Sequence, residues 1–110
     1  MNLLEQYQVL LIAYDKALNI SRKILSELEK NGRESDLFIL LKRKKVVAET
    51  IAQLTEIITS TEIKSRNDKN TKDLSEMKSA LEQITEKAKL IQTVEEKIQK
   101  LLQENNTESE

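Results

Sequence analysis

The side chains able to do chemistry in this sequence are carboxylates, lysines, hydroxyls and two phenols; histidine and cysteine are absent. Glu95 and Glu96 are the nearest thing to a paired general acid and base. Neighbours on a helix point roughly 100° apart, so these two carboxyl groups cannot address one bond. Tyr7 and Tyr14 stand seven residues apart, a spacing that marks core or rim positions on a helix rather than a catalytic pair. No serine has a histidine to activate it, and a chain with one glycine has no Gly-rich loop to cradle a phosphate. Disulfides, haem, thiol catalysis and nearly all zinc sites need the missing residues. The expectation is a protein that is not an enzyme and uses no metal or cofactor.

What remains is a question of surfaces. "LLKRKKVV", residues 40–47, places four cations in one turn of an apolar run, so at least one must face whatever the helix packs against. The net charge of −1 and the lack of aromatics between these cations argue against nucleic acid. Lys42, Arg43 and Lys45 read as a solvated face, with Glu49 four residues beyond Lys45. Lys44 falls in the seam.

With no proline, one glycine and 34% charged residues, the chain lacks the turn chemistry of a sheet and has the composition of long helices. Three periodic segments follow. In the first, about residues 2–30, Leu4, Leu11, Leu18 and Leu25 repeat every seven residues, with Tyr7, Tyr14, Ser21 and Leu28 in the alternate seam position. Leu3, Leu10, Ala17 and Ile24 widen this stripe, and Val9, Ile12 and Ile20 carry it further round than two neighbours require. Asn31 and Gly32 suit a left-handed stop. The second segment, about 36–63, starts after Ser35 as its N-cap and carries Leu37, Leu40, Leu41, Val47, Ile51, Leu54 and Ile58. Residues 64–70 form a polar gap. The third, about 71–103, carries Leu74, Met77, Leu81, Ile84, Ala88, Ile91, Val94, Ile98, Leu101 and Leu102. The spacing predicts an all-α fold over residues 1–104, an antiparallel three-helix bundle or long helical hairpin with coiled-coil-like packing. Residues 105–110 read as a disordered acidic tail.

Short connections make successive helices antiparallel. Facing residues of the first two helices then sum to about 65, and those of the second and third to about 132. In that register Lys44 lies opposite Ser21 and Ala88, two small residues that leave room for its stem. The register also lets the third helix overhang the hairpin, so that Ile98, Leu101 and Leu102 lack partners. With Leu28 and Leu37 beneath them, they form a candidate partner-binding patch.

The segments "YQVLLIAYDKALNISRKILSELEKNG" and "LFILLKRKKVVAETIAQL" together resemble the bacterial flagellar export chaperones of the FliT and FlgN type. In those families a helix opening near a tyrosine is followed by a polar turn and a second helix whose pattern Leu37, Leu40, Leu41, Lys44, Val47, Ile51 and Leu54 fit. A third helix ending in "LIQTVEEKIQKLLQ" is compatible, so the likeness spans about residues 3–102. The fourth short helix that FliT-like proteins often carry has no counterpart here. The resemblance implies a cytoplasmic chaperone that binds amphipathic terminal helices of filament or hook-associated subunits before export. The residues alone leave a second possibility open, a structural or adaptor protein whose surplus apolar face pairs with its own copy, as in a weak homodimer. There is no basic n-region of a signal peptide and no run of ~18 uncharged residues, which points to a cytoplasmic protein without membrane insertion.

Overall fold

In the computed structural model Asn2 caps the first helix, its Oδ1 accepting a hydrogen bond from the Glu5 N–H at 2.8 Å. The structure describes residues 2–64 and 71–108, with side chains described for 2–62 and 74–104. Three helices follow in chain order: α1 (Leu3–Glu29), α2 (Glu34–Lys64) and α3 (Thr71–Glu108). The fold is all-α, and α1 packs against both α2 and α3.

The turn after α1 shows why the chain reverses there. Asn31 takes φ 55°, the left-handed region, while the only glycine does not. The Gly32 N–H donates to the Glu27 carbonyl at 2.7 Å and the Asn31 N–H to the Leu28 carbonyl at 3.3 Å. This six-to-one and five-to-two pair is a Schellman stop, with asparagine in the role usually taken by glycine. Gly32 is needed for space instead. A Cβ there would press on the Glu27 carbonyl oxygen at 3.1 Å and run into the Glu27 side chain. Residue 34 is already helical, so Ser35 lies inside α2 and is not its cap; the first turn closes with the Asp36 N–H on the Arg33 carbonyl. The polar gap expected at 64–70 begins with Lys64, the last residue of α2; 65–70 lie outside the described residues. At the other end α3 continues to Glu108, so residues 105–108 are helix rather than disordered tail; residues 109–110 lie outside the described set.

Two apolar clusters hold the helices together. Tyr7 and Leu10 of α1, Ile58 of α2 and Ala80 and Ile84 of α3 form one, with Leu3, Leu11, Tyr14, Ile51, Leu54 and Met77 against it. Ile24, Leu40 and Ile98 form the other, beside Ile20, Leu25, Leu28, Leu37 and Val94. These members give the register. Ile24 and Leu40 keep α1 and α2 antiparallel as the sequence suggests. Ile24 with Ile98, and Leu10 with Ile84, make α3 parallel to α1. The grouping of Leu40 with Ile98 shifts α3 by nearly a heptad from the expected pairing with α2. Ile98 is therefore buried, not overhanging.

Between the clusters lies a polar layer. The Ser21 hydroxyl, itself buried, donates to Glu95 Oε1 at 3.2 Å. Lys44 forms an ion pair with the same Glu95 oxygen, both side chains about one-third exposed. The expected partner Ala88 is thus replaced by the residue one heptad later. Among the described residues no Cα of α2 comes within 8 Å of one in α3. Both helices rest on α1, and α2 reaches α3 through side chains.

Candidate helix-binding groove

Each helix presents to α1 a stripe set by the 3.6-residue period, and what matters for binding is what remains outside it. On α2 the positions Ile39, Arg43, Val46, Thr50, Gln53 and Ile57 alternate four and three residues apart, so they form a second stripe on another face of the helix. Ile39 is 48% exposed, Val46 61% and Ile57 50%. Thr50 Oγ1 donates to the Val46 carbonyl at 3.0 Å, so its hydroxyl is satisfied within the helix and does not oppose an apolar contact.

On α1 the positions Val9, Ile12, Lys16, Ile20, Lys23 and Glu27 make a matching stripe. Val9 and Ile20 are half-buried, and Ile12 is exposed. The two stripes meet. An open depression of about 340 Å³ is walled by Lys23, Ser26 and Glu27 from α1 and by Asp36, Ile39, Leu40 and Arg43 from α2. Because the helices are antiparallel, following both stripes away from this depression brings Ile20 level with Val46 and Val9 level with Ile57. From this depression, exposed and half-buried apolar residues thus continue along one side of both helices.

The α1 side of this surface is legible in the sequence. Val9, Ile12 and Ile20 stand out as surplus to α1. Ile39, Val46 and Ile57 flank the stronger stripe of α2, and Arg43 sits in a run of cations that reads as a solvated face, so the main period does not mark them. Their four-and-three spacing was the available signal.

Of the residues expected to form a partner patch, Leu28, Leu37 and Ile98 are packed together in the second apolar cluster. Ile98 is core, 6% exposed. Leu28 and Leu37 pack against the Ile24–Leu40–Ile98 cluster. Leu101 is half-buried, and only Leu102 is largely exposed. Leu41, expected in the seam, is 52% exposed beside the exposed Phe38, over whose ring Lys42 lies at 4.6 Å.

The phenols occupy structural places. The Tyr7 hydroxyl donates to the Glu62 carboxylate, and the ring belongs to the first apolar cluster. Burial, then the hydrogen bond to Glu62 and its charge, push the Tyr7 pKa up to about 12. A phenol held neutral in this way is a poor base. Among the described residues no helix is long and apolar enough to cross a membrane. No protein family matches this chain, and no curated protein or solved structure is significantly similar to it.

Proposed function

We propose that this protein is a non-catalytic helix-binding protein, and that the α1–α2 groove receives one amphipathic helix of a protein partner. The observation that carries the reading is the apolar stripe of Ile39, Val46 and Ile57, each about half exposed or more, which starts at the α1–α2 depression and runs on the same side of the molecule as Ile12, Val9 and Ile20 of α1. Burying a branched aliphatic side chain gains about 1.5–3 kcal/mol relative to leaving it in water. A fourth helix laid in the groove would complete a four-helix bundle by knobs-into-holes packing, with its anchors at i, i+3, i+4 and i+7. The resemblance of the sequence to flagellar export chaperones supports a specific form of this reading. The partner would then be an amphipathic terminal helix of a filament or hook-associated subunit, held before export in the cytoplasm.

The test is binding of such terminal helices, as isolated peptides, to the full chain and to Val46→Glu and Ile57→Glu variants. The reading expects binding that either substitution abolishes without lowering the melting temperature. Peptides that ignore the substitutions would place the site elsewhere.

One observation favours a second reading, self-association. The α2 stripe is symmetric about residue 48: an antiparallel second copy would set Ile39 against Ile57 and Val46 against Thr50. The chain has no cysteine, so single Ile39→Cys and Ile57→Cys variants can be mixed and oxidised. Selective cross-linking of the mixture, with little from either variant alone, would show α2 pairing with its own copy.

A further inference from the structure

Between residues 37 and 63, α2 carries all of its cations ahead of all of its anions: Lys42, Arg43, Lys44 and Lys45, then Glu49, Glu56 and Glu62. That order suits a lone helix badly. The helix dipole favours anions towards the N-terminus and cations towards the C-terminus, and a glutamate supports a lysine best from four residues before it. Within the fold Lys44 pairs with Glu95, and Glu62 accepts from the Tyr7 hydroxyl. Lys45 and Glu49 stand four residues apart, yet they form no ion pair. Lys42 rests only on the Phe38 ring, and Glu56 makes no ion pair or hydrogen bond with another described residue. Lys42, Lys45, Glu49 and Glu56 are all exposed. The depression between α1 and α2 selects no occupant by sign, since Lys23 and Arg43 share it with Glu27 and Asp36. The charge gradient along α2 does select one, because a helix polarised in this way is complementary to an antiparallel copy of itself.

Resting on the second reading above, self-association, we propose that α2 pairs with α2 of a second copy, antiparallel about a two-fold axis near residue 48, and that Lys42 and Glu56 select this pairing. The register follows from the exposed stripe. Ile39 meets Ile57 of the second copy, Arg43 meets Gln53 and Val46 meets Thr50, over about 27 Å of helix. Lys42 and Glu56 each stand one position before a stripe residue, Arg43 and Ile57, so they lie on one flank of the stripe. In an antiparallel pair this flank meets its own copy, and the two-fold axis makes the contact between Lys42 and Glu56 twice. Glu49 shares the flank and falls at the axis, opposite its own copy, where two like charges weaken the dimer. The apolar stripe supplies affinity and the flanking charges set partner and orientation. A partner helix of the first reading needs the same Val46 and Ile57, so it competes with the second copy.

The test is a charge swap on the full chain, read by sedimentation equilibrium at low salt over a wide range of protein concentration. Wild type should dimerise reversibly. Lys42→Glu alone and Glu56→Lys alone each turn both contacts repulsive and should weaken the dimer about tenfold. An equal mixture of these two variants restores opposite charges in the mixed dimer and should regain the wild-type affinity. The double variant Lys42→Glu with Glu56→Lys should regain it as a homodimer. Glu49→Gln should tighten the dimer by removing the like charges at the axis. All four positions are exposed, so monomer melting temperatures should be unchanged. Wild-type affinity in both single variants would overturn the charge assignment, while cross-linking of the Ile39→Cys and Ile57→Cys mixture would still uphold self-association through α2. Weakened single variants whose mixture does not recover would overturn the antiparallel register. A wild-type chain that stays monomeric throughout would overturn both the proposal and the second reading.

Discussion

Lys44 of α2 and Glu95 of α3 are paired across the gap between two helices that, among the described residues, bring no Cα atoms within 8 Å of each other. Ser21 of α1 donates to the same carboxylate. One layer thus joins all three helices through polar atoms, between two apolar clusters. This changes what a substitution at Lys44 does. With Ala88 opposite, Lys44→Leu would fill space and stabilise. With Glu95 opposite, it removes a cation and leaves a half-buried carboxylate with one hydroxyl donor.

Lys44→Leu is expected to lower stability, by about 1 kcal/mol after allowance for partial exposure of the pair. Lys44→Leu combined with Glu95→Leu should recover that loss or exceed wild type, since an apolar pair replaces a half-desolvated ionic one. Chemical denaturation of the two single variants and the double variant gives the coupling directly. Additive effects would mean the pair contributes nothing.

The two ends of the expected patch should now behave differently. Ile98→Ala removes a core side chain from the cluster of Ile24 and Leu40 and should cost about 2–4 kcal/mol. Leu102→Ala, at 46% exposure, should stay within about 0.5 kcal/mol of wild type. Thermal melts of both variants check this. Comparable losses would mean Leu102 is more deeply packed than its exposure suggests.

The helices, the turn at Asn31 and the α1–α2 register were legible because each rests on local signals: period, cap chemistry and a short connection. The α3 register was not. Its seam residues repeat every seven, so sliding α3 by a heptad still sets apolar side chains against apolar ones. Burial is non-directional and does not distinguish the two arrangements. The polar layer does, because Lys44 gains Glu95 in one and Ala88 in the other. Lys44 stands out in the sequence as a polar seam residue that can fix register, but the apolar period does not mark Glu95, one heptad beyond Ala88, as its partner. The groove was half legible for a related reason. A helix with two apolar faces has no single stripe, and on α2 the stronger face masked Ile39, Val46 and Ile57.

The turn offers a test of why asparagine is tolerated there. Asn31 sits at φ 55°, which glycine adopts freely and a β-branched residue resists. Asn31→Gly should be neutral or stabilise slightly, whereas Asn31→Val should cost about 1–2 kcal/mol. Equilibrium unfolding of the pair measures the difference. Equal stabilities would show that the Schellman hydrogen bonds at Gly32 and Asn31 do not require the left-handed backbone.

Tyr7 gives the molecule a defined alkaline limit. Its pKa is about 12 in the fold against roughly 10 in an unfolded chain. The native state therefore keeps a proton that the unfolded state releases first. Between these two values the unfolded chain binds fewer protons, so stability falls as pH rises. The contribution is fully present below about pH 10 and is lost progressively up to about pH 12. Above the folded value the ionised phenol would face Glu62 as a second negative charge in the place of a hydrogen bond. Tyr7→Phe keeps the ring in its cluster with Leu10, Ile58 and Ile84 and removes the titrating group. It should cost about 1 kcal/mol at neutral pH for the lost hydrogen bond, yet show a shallower decline between pH 10 and 12. Unfolding free energies of wild type and Tyr7→Phe across that range decide the matter. Parallel declines would mean that Tyr7 does not set the alkaline limit.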